Sequence, residues 1–276
     1  MEASTEKVTG FVERNGTSFY YEACGKGEPL LLIHGINLDS RMWREQVPVL
    51  SEKYRVISFD LRGMGQTPMT EEPFTLFGDT QAVLQELGIE QAHVIGLSFG
   101  GMVALEFAVA HPEMVKSLVL VSSGLHGYPR AERRVKDFAK FVDLYEKGLR
   151  EETVEMAARM WFDGPDQPVR SEVQKARELF VQMTDHAYSL PPLTKQPAWL
   201  APPPSERLEE IQAPALIIAG GKDYEDFQGI ADVLAERIPH AEKVLLADSA
   251  HLPPMDQPDQ FNRLVLDFIE RTRQER

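Results

Sequence analysis

Cysteine is almost absent from this chain of 276 residues, in which Cys24 is the single thiol. One cysteine excludes an intrachain disulfide, a redox-active cysteine pair and a zinc site built from several thiolates. Cys24 itself lies where a strand pattern runs into a turn, and a lone half-buried cysteine there is usually inert. The histidines and carboxylates show no spacing typical of a metal site. The sequence therefore predicts neither a metal nor a cofactor.

Long hydrophobic runs and an excess of basic residues are also missing. No apolar segment approaches the ~18 residues that cross a membrane, and the polar stretch MEASTEKVTG does not resemble a signal peptide. The 29 Lys and Arg residues against 43 Asp and Glu give a formal net charge of −14, which repels phosphate backbones and anionic headgroups. We expect a cytoplasmic protein without a nucleic-acid or membrane partner; the sequence does not indicate its oligomeric state.

The sequence does contain the alternation of an α/β protein. Hydrophobic residues make up 43%, enough for a sizeable core. Residues 8–33 read as a meander of antiparallel strands separated by two glycine-containing turns. Nearly continuous apolar runs then alternate with helical patterns: LLLIHG, RVISFD, AHVIGL and KSLVLVSS. This alternation predicts a mostly parallel sheet covered by helices on both faces.

The alternation breaks between residues 125 and 205, which carry charged helical patterns and a proline-rich stretch but no buried strand. Strands resume with APALIIAGG and EKVLLADSA. A helical block between two strands of one sheet predicts a lid over the carboxyl edge, where α/β sheets bind ligands. We predict a core of residues 1–124 and 206–276, and a helical lid of residues 125–205 inserted after the fourth parallel strand.

The segment HVIGLSFGG places Ser98 between glycines where a buried strand turns into a helix. A G-x-S-x-G match alone is weak, but this strand-to-helix setting is the one that a nucleophile elbow requires. A nucleophile at such a turn needs a positive φ, and the neighbouring chains come so close that Gly96 and Gly100 can carry no side chain. The helix that follows directs its N-terminal amides at developing negative charge. Ser98 is therefore the candidate nucleophile.

A serine hydroxyl needs a base within hydrogen-bonding distance. His251 is the best placed of the seven histidines, because it stands just beyond a buried strand in a loop that prolines fix. His126 and His186 lie in the predicted lid and could line a pocket. His34 ends a strand and is more simply interpreted as shaping its loop. The other histidines, His93, His111 and His240, lie in a strand or at helix boundaries.

A histidine base needs a carboxylate that holds its tautomer and stabilises the imidazolium. Asp223 ends another buried strand and follows the serine in the chain. Asp60 also ends a strand, but it precedes the serine and reads as part of a structured turn. Glu225 and Asp226 are nearby alternatives that we interpret as the solvated start of a helix.

Five motifs occur in this order along the chain: HGIN, DLRGMGQT, GLSFGG, GGKD and AHLPPMDQP. In order and spacing they resemble the α/β-hydrolase superfamily over almost the whole chain, with its single-domain esterases and enol-lactonases as the most similar subgroup. The resemblance implies that Ser98 is the nucleophile, His251 the base and Asp223 the orienting acid. It also implies an oxyanion hole formed by the backbone amides of Ile36 and Phe99.

Three details refine the resemblance. Ser98 argues against the dehalogenases and epoxide hydrolases of this fold, whose nucleophile is an aspartate. Ala250 stands where a glycine commonly precedes the histidine, and Asp256 replaces the usual glutamate after it. Both departures are mild and leave the triad in place.

The predicted reaction is cofactor-free hydrolysis of a small, uncharged ester or lactone with a short to medium acyl group. No basic cluster in the lid stands out for an anionic substrate, although RAERR (130–134) could serve if it faced inward. The same triad leaves open a C–C bond hydrolase, a cofactor-free perhydrolase, and a sensor that binds a small ligand and docks a protein. The sequence does not name the natural substrate. The predicted pocket residues are Asn37, Leu125, Met160, Trp161, Tyr188 and Leu252.

Overall fold

The computed structural model describes residues 6–191 and 195–274. This part of the chain forms one eight-stranded sheet with the strand order β1-β2-β4-β3-β5-β6-β7-β8. Strand β2 runs antiparallel to both of its neighbours, and every other neighbouring pair is parallel. The strands are β1 (Val8–Arg14), β2 (Thr17–Cys24), β3 (Glu28–Ile33), β4 (Tyr54–Phe59), β5 (Ala92–Leu97), β6 (Val115–Val121), β7 (Ala215–Gly220) and β8 (Ala241–Leu246).

The predicted antiparallel meander is correct for β1 and β2 but extends one strand too far, because β3 is parallel to both of its neighbours, as the apolar run LLLIHG predicts. Strand β2 pairs with β4, while β3 lies inside the sheet between β4 and β5. The reason is the burial of β3 on both faces. Leu30 and Leu32 pack into one core cluster and Leu31 and Ile33 into the other, because successive side chains of a strand point to opposite faces.

Helices cover the two faces of the sheet, as the sequence predicts. Helices α2, α3 and α7 pack over one face and α1 and α9 over the other. No helix in the described part of the chain combines the length and the apolar character needed to cross a membrane. The helices are α1 (Val47–Leu50), α2 (Leu76–Glu86), α3 (Phe99–Ala110), α4 (Glu132–Glu146), α5 (Arg150–Ala157), α6 (Gln174–Ser189), α7 (Glu225–Arg237), α8 (Pro253–Asp256) and α9 (Pro258–Gln274).

The chain between β6 and β7 holds α4, α5 and α6, and none of its described residues forms a strand. We refer to residues 125–205 as the inserted segment. A π-helical turn, Ala158–Asp163, follows α5 directly. Phe162, Phe180 and Met183 of this segment are almost fully buried and join the core cluster that includes α9. The inserted segment is thus packed onto the sheet rather than attached only at its ends.

Candidate active site

Ser98 occupies the sharp turn between β5 and α3, with φ 55° and ψ −110°. A Cβ atom on Gly96 would lie 2.3 Å from the carbonyl oxygen of Gly100, and one on Gly100 would lie 2.3 Å from that of Ile33. Both positions therefore require glycine. The Ser98 amide donates a 2.8 Å hydrogen bond to the Val121 carbonyl, which helps to hold the serine in a backbone conformation that L-residues seldom adopt.

The structure brings Ser98, His251 and Asp223 together in one hydrogen-bonded chain. His251 Nε2 lies 2.8 Å from Ser98 Oγ, and His251 Nδ1 lies 2.7 Å from Asp223 Oδ2. His251 follows β8 and Asp223 follows β7, so both side chains come from the carboxyl edge of the parallel sheet. With Nδ1–H donating to the carboxylate, Nε2 is free to accept the serine proton.

A second carboxylate fixes the loop that carries His251. The buried Asp256 accepts hydrogen bonds from Ser249 Oγ at 2.6 Å, from the Ala250 amide at 2.9 Å and from Arg170 Nη2 at 2.7 Å. Burial raises the pKa of Asp256, and these three donors act in the opposite direction. Sequence reasoning recorded Asp256 only as a departure from a motif. Its partner Arg170 comes from the inserted segment, at a distance along the chain that no local pattern reveals.

Two aromatic rings enclose the imidazole of His251. The ring centroids of Trp161 and Phe227 lie 4.9 Å and 4.3 Å from that of His251. Together with the burial of His251 and Asp223, at 4% and 5% exposure, they shield the pair from water. Electrostatic interactions are stronger in such a water-poor environment.

The predicted oxyanion-hole residues, Ile36 and Phe99, both line the cavity beside Ser98. Phe99 is the first residue of α3, where helical amides have no partner within the helix. His34 holds the loop that carries Ile36: its Nε2 accepts a 2.9 Å hydrogen bond from the Leu61 amide, and its Nδ1 lies 2.8 Å from the Gly35 carbonyl. Both residues thus lie at the cavity that contains Ser98, and an oxyanion hole formed by their amides stays a prediction.

A cavity of about 480 Å³ opens over Ser98, between the carboxyl edge of the sheet and the inserted segment. Most of its wall is apolar or aromatic, including Met102, Phe138, Phe180 and Trp199. Five of the six predicted pocket residues line it: Asn37, Leu125, Trp161, Tyr188 and Leu252.

The prediction for Met160 is wrong. Its side chain is 2% exposed and packs in the hydrophobic core. Adjacent residues of a helical turn point in different directions. Because Trp161 faces the cavity, its neighbour Met160 turns into the core.

Several polar side chains reach the cavity from the inserted segment. His126 stands edge-on to Trp199 with ring centroids 4.3 Å apart, and burial lowers its pKa. Tyr188 accepts a 3.3 Å hydrogen bond from Asn37 Nδ2, and burial raises the pKa of the phenol. His186 lies outside the wall, with Nε2 3.3 Å from the Gly65 carbonyl. No described group of three or more His, Cys, Asp and Glu residues could hold a metal ion.

The sequence leaves the orientation of two arginines open, and the structure turns both toward the cavity. Arg130 and Arg134, the first and last residues of RAERR, both line the cavity. Arg134 Nη2 lies 2.7 Å from Asp226 Oδ2, and Arg134 Cζ lies 4.5 Å from the centre of the Phe227 ring. The interpretation of Asp226 as solvated is therefore wrong: it is 5% exposed, and burial raises its pKa. The spacing of Arg134 and Phe138 was the available signal, because side chains four apart share a helix face; Arg130 precedes α4.

Comparisons with known proteins identify the family of this chain. The family model for the alpha/beta hydrolase fold matches residues 28–258. RutD of Azorhizobium caulinodans, a candidate carbamate hydrolase, is 31% identical over 90% of this chain and 94% of its own. The 2-hydroxy-6-oxononadienedioate/2-hydroxy-6-oxononatrienedioate hydrolase of Burkholderia vietnamiensis is 30% identical, with 98% and 97% covered. The pimeloyl-[acyl-carrier protein] methyl ester esterase of Aeromonas hydrophila is 29% identical, with 90% and 98% covered. This chain belongs to the α/β-hydrolase family.

Proposed function

We propose that the protein hydrolyses small carboxylic esters or lactones through an acyl-enzyme on Ser98. The observation that carries the proposal is the hydrogen-bonded chain from Ser98 through His251 to Asp223, which lies at the floor of an apolar cavity. The similarity to a methyl ester esterase supports the same bond type.

Acylation begins when Ser98 Oγ attacks the carbonyl carbon and its proton passes to His251 Nε2, 2.8 Å away. The carbonyl electron pair moves onto oxygen, beside the amides of Ile36 and Phe99. Asp223 stabilises the imidazolium through the 2.7 Å contact to Nδ1. When the tetrahedral intermediate collapses, the bond to the leaving oxygen breaks and the imidazolium protonates the alcohol.

Deacylation repeats these steps with water as the nucleophile. His251 removes a proton from the water, and the hydroxide attacks the acyl carbon at the same oxyanion position. The bond to Ser98 Oγ breaks and His251 returns the proton to the serine. The product is a carboxylic acid, and no other reactant is consumed.

The cavity supports a small substrate. Its volume of about 480 Å³ falls within the range of sites for small molecules, and we propose that the inserted segment acts as its lid. Apolar walls around Ser98 suit short to medium acyl groups and uncharged atoms next to the scissile bond. Long triglycerides should be poor substrates.

A C–C bond hydrolase is the second candidate, favoured by the similarity to the Burkholderia vietnamiensis hydrolase. Such an enzyme needs the same serine, histidine and oxyanion donors but must let a carbon atom leave. A sensor that reacts once with its ligand would also keep the triad. The number of turnovers and the bond that breaks distinguish these three activities.

The test is a panel of p-nitrophenyl esters of rising chain length, lactones, a triglyceride and a 2-hydroxy-6-oxo-dienoate. Wild-type protein should turn over the short and medium esters or the lactones many times, and Ser98→Ala should be inactive on all of them. Release of a single equivalent of product would support the sensor. Faster cleavage of the dienoate than of any ester or lactone would replace the proposal by the C–C hydrolase.

A further inference from the structure

The charge of the cavity wall is opposite to that of the protein. The chain has a formal net charge of −14, yet no aspartate or glutamate is found among the described residues that line the cavity. Arg130 and Arg134 are the lining residues that carry a permanent charge. In a protein with so many carboxylates, two guanidinium groups and no acid in one pocket form a local site for an anion.

Arg134 is held in place, but its hydrogen-bonding capacity is not used up. Its Nη2 pairs with Asp226 Oδ2 and its guanidinium packs on Phe227. Its Nε is buried and has no hydrogen-bond partner among the described residues. A guanidinium presents five N–H donors in a planar fork that matches a carboxylate. Because this Nε is closed off from the cavity, a bound carboxylate would contact the guanidinium through its Nη groups.

Asp226 does not neutralise this end of the cavity. It is one carboxylate beside two guanidinium groups, it pairs with Arg134, and it does not line the cavity. Burial lowers the pKa of Arg134, the charge of Asp226 acts in the opposite direction, and the charge of Arg130 lowers the pKa again. The net direction is downward, so the site destabilises the positive charge of Arg134, and a bound anion would relieve it.

Arg134 lies close to the catalytic histidine, with one aromatic ring between them. Phe227 contacts the Arg134 guanidinium at 4.5 Å and the His251 ring at 4.3 Å, measured from the centre of its own ring. A single aromatic ring thus separates the cationic end of the cavity from the catalytic imidazole. A substrate that reached both would need only a short chain between its scissile carbonyl and its anionic group.

We propose that Arg134, assisted by Arg130, binds a carboxylate carried by the substrate a few carbons from the scissile bond. This inference rests on the proposed function and specifies its substrate class: half-esters of short dicarboxylic acids, or lactones that bear a carboxylate. It replaces the expectation of a wholly uncharged substrate. The atoms next to the scissile bond remain uncharged, because the wall around Ser98 is apolar.

The experiment compares two substrates of equal size, monomethyl glutarate and its neutral amide, methyl glutaramate. In wild type we expect a higher kcat/KM for the glutarate. In Arg134→Gln the ratio of the two kcat/KM values should fall by about 10- to 100-fold, the effect of losing a charge-assisted hydrogen bond. Arg130→Gln should lower it less, because Arg130 is exposed at the rim.

Arg133→Gln is the matched control. Arg133 is the neighbour of Arg134 on α4, but it is exposed, pairs with Asp166 and Asp137, and does not line the cavity. The ratio should therefore stay at the wild-type value. Both kcat/KM values of a ratio are measured on one preparation, so any misfolded fraction of the protein cancels from the ratio.

The double variant Arg134→Gln/Asp226→Asn tests whether an unpaired buried carboxylate causes the effect of Arg134→Gln. It removes that carboxylate and should show the same low ratio. An unchanged ratio in Arg134→Gln and in the double variant would overturn the inference.

Binding of monomethyl glutarate to Ser98→Ala, measured by calorimetry, separates this inference from the proposed function. If wild type hydrolyses no ester, but Ser98→Ala binds the half-ester and the added Arg134→Gln weakens that binding, the carboxylate site stands and the reaction is misassigned. If wild type hydrolyses esters and Arg134→Gln changes neither binding nor the ratio, the reaction stands and the carboxylate site is wrong.

Discussion

The catalytic edge of the sheet differs from the facing side of the inserted segment in how its polar groups are hydrogen-bonded. At the edge, Ser98, His251 and Asp223 satisfy one another with hydrogen bonds of 2.7–2.8 Å. On the opposite face, Arg134 Nε and Thr184 Oγ1 are buried without a hydrogen-bond partner in the described chain, although both residues line the cavity. The edge is complete without a substrate, whereas the inserted segment keeps polar groups whose hydrogen bonds are not made. The chemistry of the site is thus separable from its selectivity.

The largest expected effect on the reaction rate comes from removing the base at the catalytic edge. His251→Ala removes the base that is hydrogen-bonded to Ser98 Oγ, and it should lower kcat by on the order of 10³-fold or more, judged from triad deletions. His240→Ala is the control, because His240 is exposed at a helix boundary. Steady-state kinetics on a short neutral ester measures both variants. A His251→Ala protein with a tenth of the wild-type rate would show that another residue is the base.

The next effect separates two acids that are neighbours in sequence. Asp223→Asn should lower kcat by about 10²- to 10⁴-fold, because an amide cannot hold the histidine tautomer or stabilise the imidazolium. Asp226→Asn should cost less than about tenfold on a neutral ester, because Asp226 pairs with Arg134 and not with His251. If Asp226→Asn were the inactive variant and Asp223→Asn nearly as fast as wild type, the orienting acid would be Asp226.

The smallest expected effect lies where the two regions meet. Glu106 on α3 is 1% exposed and accepts a 2.7 Å hydrogen bond from the Leu200 amide, next to Trp199 in the cavity wall. Burial raises the pKa of Glu106 from 4.5 to about 7. The Glu106 carboxyl therefore binds its proton more tightly in the folded protein than in the unfolded chain. The stability that this protonated carboxyl contributes is lost as the pH rises from about 4.5 to about 7.

Glu106→Gln should remove this pH dependence while keeping an oxygen for the Leu200 amide. The variant should be more stable than wild type above about pH 8, by at most about 3 kcal/mol, and the two should converge below about pH 4.5. Denaturant unfolding at both pH values measures this difference. Glu146→Gln is the control, since Glu146 is exposed at the end of α4. Parallel stability curves for Glu106→Gln and wild type would contradict the raised pKa.

The two regions also differ in what the sequence reveals. The fold class follows from apolar runs that alternate with helical patterns, and the structure confirms it. The positions of Ser98, Asp223 and His251 could be predicted because each follows a strand of the parallel sheet, and the carboxyl ends of parallel strands meet at one edge. Strand β8, which precedes His251, is an edge strand and is only partly buried, contrary to its apolar pattern. Local sequence patterns are therefore sufficient to predict which residues meet at the catalytic edge.

The cavity wall could not be predicted in the same way. Arg134 and Asp226 belong to different helices, and their contact depends on how α4 packs on α7. Met160 and Trp161 are adjacent and similarly apolar, so only the orientation of one helical turn decides which of them faces the cavity. The sequence places β3 both in the antiparallel meander and among the parallel strands, because its pairing with β4 and β5 is set by sheet order, which the turns on either side do not specify.

The central claim is that Ser98 is the nucleophile of this site, and covalent labelling tests it most directly. A fluorophosphonate should form one adduct per chain, and mass spectrometry of the digested protein should place it on the peptide that contains Ser98. Ser98→Ala should take no label, and His251→Ala should be labelled far more slowly because its serine lacks a base. An adduct on any other residue, or undiminished labelling of Ser98→Ala, would contradict the claim.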